Sequence, residues 1–247
     1  MFGWLKKKNT PAVAAPAAPV EEKVNVPSVE PACTVISFAG VRRGDMIYYL
    51  SKLLSTCDAP VLVVDNSTIH DMFRSVQHEN EKVAYYKNVT VIANAAYNAR
   101  FKDIFRYIIV YHEFNISKAW WDNSDYCYMI TDFDRYNMQR VVNLFGTIHR
   151  DAVNKVMTLI ITGRYNGSFS DKFLAESLMI TSEFLDEAIE IPQDDDTMVK
   201  WLSFQNNGIA KPDKLSKDYQ KMLWAIYQKV TPVNNKNKMS SVFNKTN

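Results

Sequence analysis

The stretch Thr34–Met46 constrains this chain more than any other. Thr34–Phe38 reads as a short buried strand and Met46–Leu54 as a helix, with Gly40 and Gly44 punctuating the turn between them. A strand, a glycine turn and a helix in that order present backbone N–H groups at a helix N-terminus, the plan that cradles a phosphate. The same plan asks for a lysine to reach the β- and γ-phosphates and a hydroxyl to hold Mg²⁺. Asp45 and Met46 stand in those places. An aspartate there repels a triphosphate, and a thioether is a poor Mg²⁺ ligand. The scaffold is expected without the hydrolytic chemistry.

Beyond that loop, strand and helix alternate. Val61–Val64, ending at Asp65, Val89–Ala93, Tyr126–Thr131, Val156–Thr162 and Ala188–Ile191 read as short strands. Met138–His149, Phe169–Ile180, Asp196–Phe204 and Leu215–Val230 read as helices, and the aromatic stretch Ala99–Trp120 is expected to be mostly helical. Near-continuous apolar strands separated by helices point to a mostly parallel sheet covered on both faces, a three-layer α/β sandwich. The apolar stripe Leu215, Tyr219, Met222, Leu223, Ile226 and Val230 is expected to be core, as are Tyr48-Tyr49 and Trp120-Trp121.

Composition narrows the function classes. A chain of 247 residues that is 47% hydrophobic supports one sizeable core, and a net charge of +2 implies no general polyanion surface. Lys211, Lys214, Lys217 and Lys221 are the one candidate basic stripe, so DNA binding is not expected. Cys33, Cys57 and Cys127 are dispersed and odd in number, which suits reduced thiols, and the four histidines lack metal-ligand spacing. With no apolar run near the roughly 20 residues that span a bilayer and no secretory leader, the expected location is cytoplasmic. Residues 1–31 read as a flexible tether with an aromatic–basic tip in which Phe2, Trp4, Leu5 and Lys6 suit a weak contact at the inner face of a membrane. Residues 232–247 read as a disordered polar tail.

Several segments resemble the ParA/MinD family of deviant P-loop ATPases. Leu159-Ile-Ile-Thr-Gly-Arg-Tyr-Asn166 is similar to the family's strand-plus-TRYN segment, Ile191-Pro-Gln-Asp194 to its IPED turn, and Gln205-Asn-Asn-Gly208 to its NQG element. The resemblance implies a P-loop NTPase-like fold over roughly Thr34–Ala210 and a dimer gated by ATP. Carried over by position, it places Gly40, Arg42, Arg43, Gly44, Asp65 and Asp132 on the phosphate and Mg²⁺ side, and Arg164, Asn166, Pro192 and Asp194 around the base. The family's KGGxGK[ST] loop keeps only its last glycine here, as Gly44. The second switch acid is replaced by Ser67, and no sensor glycine follows Asp132. Phosphoryl transfer rests on positioning and charge neutralisation, so losing all four groups implies a pseudo-ATPase, in the manner of the divergent pilus-localisation members (TadZ/CpaE-like). No cofactor is expected beyond weak ATP or ADP binding; the alternative is an unorthodox ATPase of the same family, in positioning or plasmid segregation, with Arg42 or Arg43 as substitute cation. The expected partner is a second copy or an active paralogue. Asp132-Phe-Asp134 has a competing reading as the D-x-D metal motif of a glycosyltransferase.

Overall fold

The computed structural model describes residues 32–57, 59–76, 82–164, 171–178, 184–192, 195–207, 214–231 and 239–245. The strands are β1 (Thr34–Gly40), β2 (Val61–Asp65), β3 (Val83–Tyr86), β4 (Val89–Ala93), β5 (Tyr107–Glu113), β6 (Tyr126–Thr131), β7 (Met157–Arg164) and β8 (Leu185–Pro192). The helices are α1 (Gly44–Leu54), α2 (Asp71–Arg74), α3 (Phe101–Ile104), α4 (Lys118–Asp122), α5 (Arg135–Asp151), α6 (Asp171–Leu178), α7 (Asp195–Asn207), α8 (Lys217–Val230) and α9 (Met239–Asn244).

The eight strands form one sheet in the order β3-β4-β2-β5-β1-β6-β7-β8. All neighbours pair in parallel except β3 and β4, an antiparallel hairpin at the edge. The expected mostly parallel α/β sheet is therefore present. Its continuous apolar strands follow from burial on both faces. Ile36 and Phe38 of β1, Val61 and Val63 of β2, and Ile109 and Tyr111 of β5 face a layer containing α1 and α8. Val35, Leu62, Val64, Ile108 and Val110 face the opposite side, where Trp120 packs, and Ala39 and Met129 meet Trp121 and α5 there. Both tryptophans, Tyr48, Tyr49 and the α8 stripe are buried, as expected.

Two expectations need correction. Ala99–Trp120 is not a long helix: it holds two short helices around β5, which lies between β1 and β2 in the sheet. The run Tyr107-Ile-Ile-Val-Tyr111 is β-branched and aromatic, and a run buried on both faces has no period to separate strand from helix. The tail is not wholly irregular either, since α9 buries Val242 and Phe243 against the α1 layer. The hairpin strand β3 was missed. Residues 1–31 and 232–238 lie outside the described residues. Among the described residues, no helix is long and apolar enough to cross a membrane.

Candidate functional site

With β5, β1 and β6 side by side and β2 next to β5, the loops after these four strands converge at one edge of the sheet, the edge where open α/β folds bind ligands. The β1–α1 loop is tightly determined. Gly40 has φ +109°, and a Cβ there would run into the Ile130 carbonyl of β6, so only glycine fits. Val41 N donates to that same carbonyl at 2.9 Å. Gly44 opens α1, and a Cβ on it would come within 2.5 Å of Asp71 Oδ2. The Asp71 carboxylate thus lies against the first helical turn, where N–H groups and the helix dipole favour an anion. Burial, with Asp65 beside it, pushes Asp71 up to about 6.

Asp45 and Arg43 form a closed pair at the same place. Arg43 Nε and Nη2 donate to Asp45 Oδ1 and Oδ2 at 2.9 and 2.7 Å. The Tyr219 hydroxyl of α8 donates to Asp45 Oδ2 at 2.6 Å, and Arg43 lies over the Tyr219 ring, 5.7 Å from its centroid. Burial works to raise the Asp45 carboxyl, but the Arg43 guanidinium and the hydrogen bonds from Arg43 and Tyr219 outweigh it and hold the group below the usual carboxylate range. Arg43 N also donates to the Tyr111 hydroxyl at 2.8 Å. Of the two expected cations, Arg43 is therefore engaged inside the protein.

Arg42 is half exposed and pairs with Glu113, Nε to Oε1, at 2.8 Å. Glu113 closes β5 in a left-handed conformation, φ +49°, which a non-glycine residue adopts only when its surroundings demand it. The turn aims its carboxylate back at the loops, where Oε2 accepts from Thr68 N at 2.9 Å. Burial would raise this carboxyl, but the Thr68 amide and Arg42 hold it down. A cavity of about 420 Å³ opens here between Val41, Arg42, Thr68, Glu113, Phe114, Asn137 and Arg140.

Asp65 is fully buried and accepts from Phe73 N at 2.9 Å and from Ser67 N and Oγ at 3.1 and 2.5 Å. It therefore orders the β2–α2 loop, which brings Asp71 to Gly44. Asp132 directly follows β6, as expected; its carboxylate accepts from Asp134 N at 3.0 Å and Asn137 Nδ2 at 2.8 Å, while Asp134 caps α5 by accepting from Tyr136 N and Asn137 N. Both carboxylates of the D-x-D reading thus hold a helix start. Among the described residues, no cluster of three or more His, Cys, Asp or Glu suits a metal ion. The acid bonded to the β1–α1 loop is Glu113, not Asp132.

Of the residues expected around a base, Arg164 and Pro192 are register partners at the carboxyl ends of β7 and β8. Asn166 and Asp194 lie outside the described residues. Sequence reading missed Asp71, Glu113, Tyr219 and Arg140. The one local signal was the acid that closes the apolar run of β5. It also passed over His112, fully buried on β5, whose Nε2 lies 3.2 Å from Ser37 Oγ and whose Nδ1 accepts from Ser117 N at 3.3 Å. Burial pulls this imidazole down to about 3.

No protein-family model matches the sequence, and a search of curated proteins finds no match. Solved structures do match in shape. A ParA family ATPase from Chlorobium tepidum TLS aligns with TM-score 0.56 at 15% identity, over 79% of this chain and 100% of that one. The MinC:MinD cell division complex of Aquifex aeolicus gives a chain at TM-score 0.58 and 12% identity, covering 82% and 99%. The ATP complex of McdA from Cyanothece aligns at TM-score 0.54 and 12% identity, covering 83% and 99%. At such identities the likeness is one of architecture: this chain has the α/β fold of the ParA/MinD ATPases.

Proposed function

We propose that this protein is a non-hydrolysing localisation or assembly scaffold built on the ParA/MinD fold, with a vestigial nucleotide pocket. The observation that carries the reading is the start of α1, where the protein's own carboxylates, Asp45 and Asp71, stand at the anion cradle. Arg43, the nearest cation, is paired bidentately with Asp45. A phosphate charge about 4 Å from the Asp71 carboxylate would meet a repulsion on the order of 4 kcal/mol at an effective dielectric of 20. Fully buried Met46 offers no Mg²⁺ ligand in place of the usual hydroxyl. These residues do not fit a Mg²⁺–triphosphate.

In this reading, association with a second copy or with an active paralogue does not depend on nucleotide, and the tip Phe2, Trp4, Leu5 and Lys6 adds membrane avidity to the assembled form. Calorimetric titration with ATP and ADP, with and without Mg²⁺, tests it. The expected result is no saturable heat from folded protein. Micromolar, Mg²⁺-dependent ATP binding lost on Arg42→Ala would overturn the reading in favour of an unorthodox ATPase that uses the half-exposed Arg42.

A further inference from the structure

We infer that the cavity between α5 and the segment following β5 is a binding site for a small amphipathic anion, an apolar body carrying one carboxylate-like head. It lies in the layer opposite α1, next to the Arg42–Glu113 cavity, with which it shares Phe114 and Arg140, and its ligand does not depend on the function proposed above. Its volume of about 330 Å³ is room for about eleven atoms of water size at ~30 Å³ each, at the lower end of ligand pockets. The floor is apolar. Leu144 and Ile148, one turn apart on α5, are buried core residues, and Phe114 and Ile116 pack against the same cluster.

The charges at the rim decide the ligand class. Lys118 is paired with Asp122 at 2.7 Å, and Asp151 with Arg150 at 3.0 Å. Arg140 is different: among the described residues its guanidinium has neither an ion pair nor a hydrogen bond, although it is part-buried in the cavity wall. It lies 3.6 Å over the Phe114 ring, with Tyr136 beside it at 5.6 Å. Stacking holds a planar guanidinium by its face and leaves its N–H edge to meet a carboxylate or phosphate through two parallel bonds. A neutral hydrophobe would leave that cation unmatched, and an inorganic anion would leave the apolar floor wet. A short-chain or aromatic carboxylate satisfies both.

The test is calorimetric titration of the full chain with octanoate below its micellar range, beside octanol as the uncharged analogue. Octanoate is expected to bind one to one and saturably, with octanol at least ten-fold weaker. Arg140→Gln should weaken octanoate at least ten-fold. Thr147→Trp, at an exposed rim position, should abolish binding by filling the space. Thermal melts of both variants check that they fold. Vesicles of phosphatidylglycerol separate a free amphiphile from a bilayer lipid. Binding to vesicles without binding to octanoate would overturn the inference, as would octanoate binding that neither variant alters. A concentration-dependent dimer dissolved by Thr147→Trp would also overturn it, giving the groove to a second copy of the chain.

Discussion

Arg43 and Asp45 stand two positions apart in the sequence, yet their pairing is completed by Tyr219, 174 positions away. A satisfied buried pair gains little over apolar residues of similar size, but removing one partner strands the other's charge. Asp45→Leu is therefore expected to cost about 3–5 kcal/mol in chemical denaturation. The double variant Arg43→Met, Asp45→Leu should recover most of that loss. A single variant as stable as the parent would mean that Arg43 reaches water and that the pair does not hold α8 to the loop. At this scale the sequence is readable wherever chemistry is local. Gly40, Gly44 and the strand-closing Asp65 stood out by their positions next to an apolar run. Asp71 and Glu113 did not, because what matters about them is where a loop and a left-handed turn deliver their carboxylates.

Among the elements, helices with a clear period were legible, as were short apolar runs bounded by turns such as β2, whereas β5, embedded in an aromatic stretch, was not. The α5 and α8 stripes repeat at helical spacing because one face of each meets the sheet. β5 is the opposite case. Its apolar side chains enter both layers, the alternation vanishes, and the aromatic residues flanking it suggested a helix. The short α9 escaped notice because six residues hold less than two turns of pattern and its neighbours are polar. It nonetheless anchors Phe243, 2% exposed, in the α1-layer core. Phe243→Ala is expected to lower stability by about 3 kcal/mol, the ordinary cost of emptying a buried aromatic site. A loss below half a kcal/mol in urea titration would show that α9 does not dock in solution.

For the molecule as a whole, pH sets two buried groups against each other. Burial holds the His112 imidazole near 3 instead of its ordinary 6.5, so between those values the unfolded chain binds a proton that the folded protein refuses. Its contribution is intact above pH 6.5 and is lost as pH falls toward 3. Asp71, raised to about 6 from 3.8, acts the other way: the folded protein keeps its proton longer, so acidification through 6 adds stability. The His112 displacement is the larger. The lowered Asp45 and Glu113 carboxyls add to the acid loss once pH falls through their folded range. Asp65 and Asp132, also raised by burial, act in the same direction as Asp71, so His112 shows by difference: the urea midpoint of His112→Gln is expected to rise relative to the parent's as pH falls from 6.5 to 4. An identical slope in the variant would show that the imidazole takes up its proton without unfolding.

By itself the sequence determined the class of fold: apolar β-branched runs, helices between them and a glycine turn after the first strand leave little besides a covered parallel sheet. It also put Asp45 and Met46 directly after the glycine that opens α1. Only the tertiary structure decided that β5 lies beside β1, that Asp71 rests on Gly44, that Arg43 is closed off by Tyr219, and that Arg140, stacked on Phe114, borders an apolar cavity. The division has a physical cause. Burial is written into the chain residue by residue as a period, whereas the meeting of two charged groups depends on how distant segments pack, and packing leaves no local mark at either position.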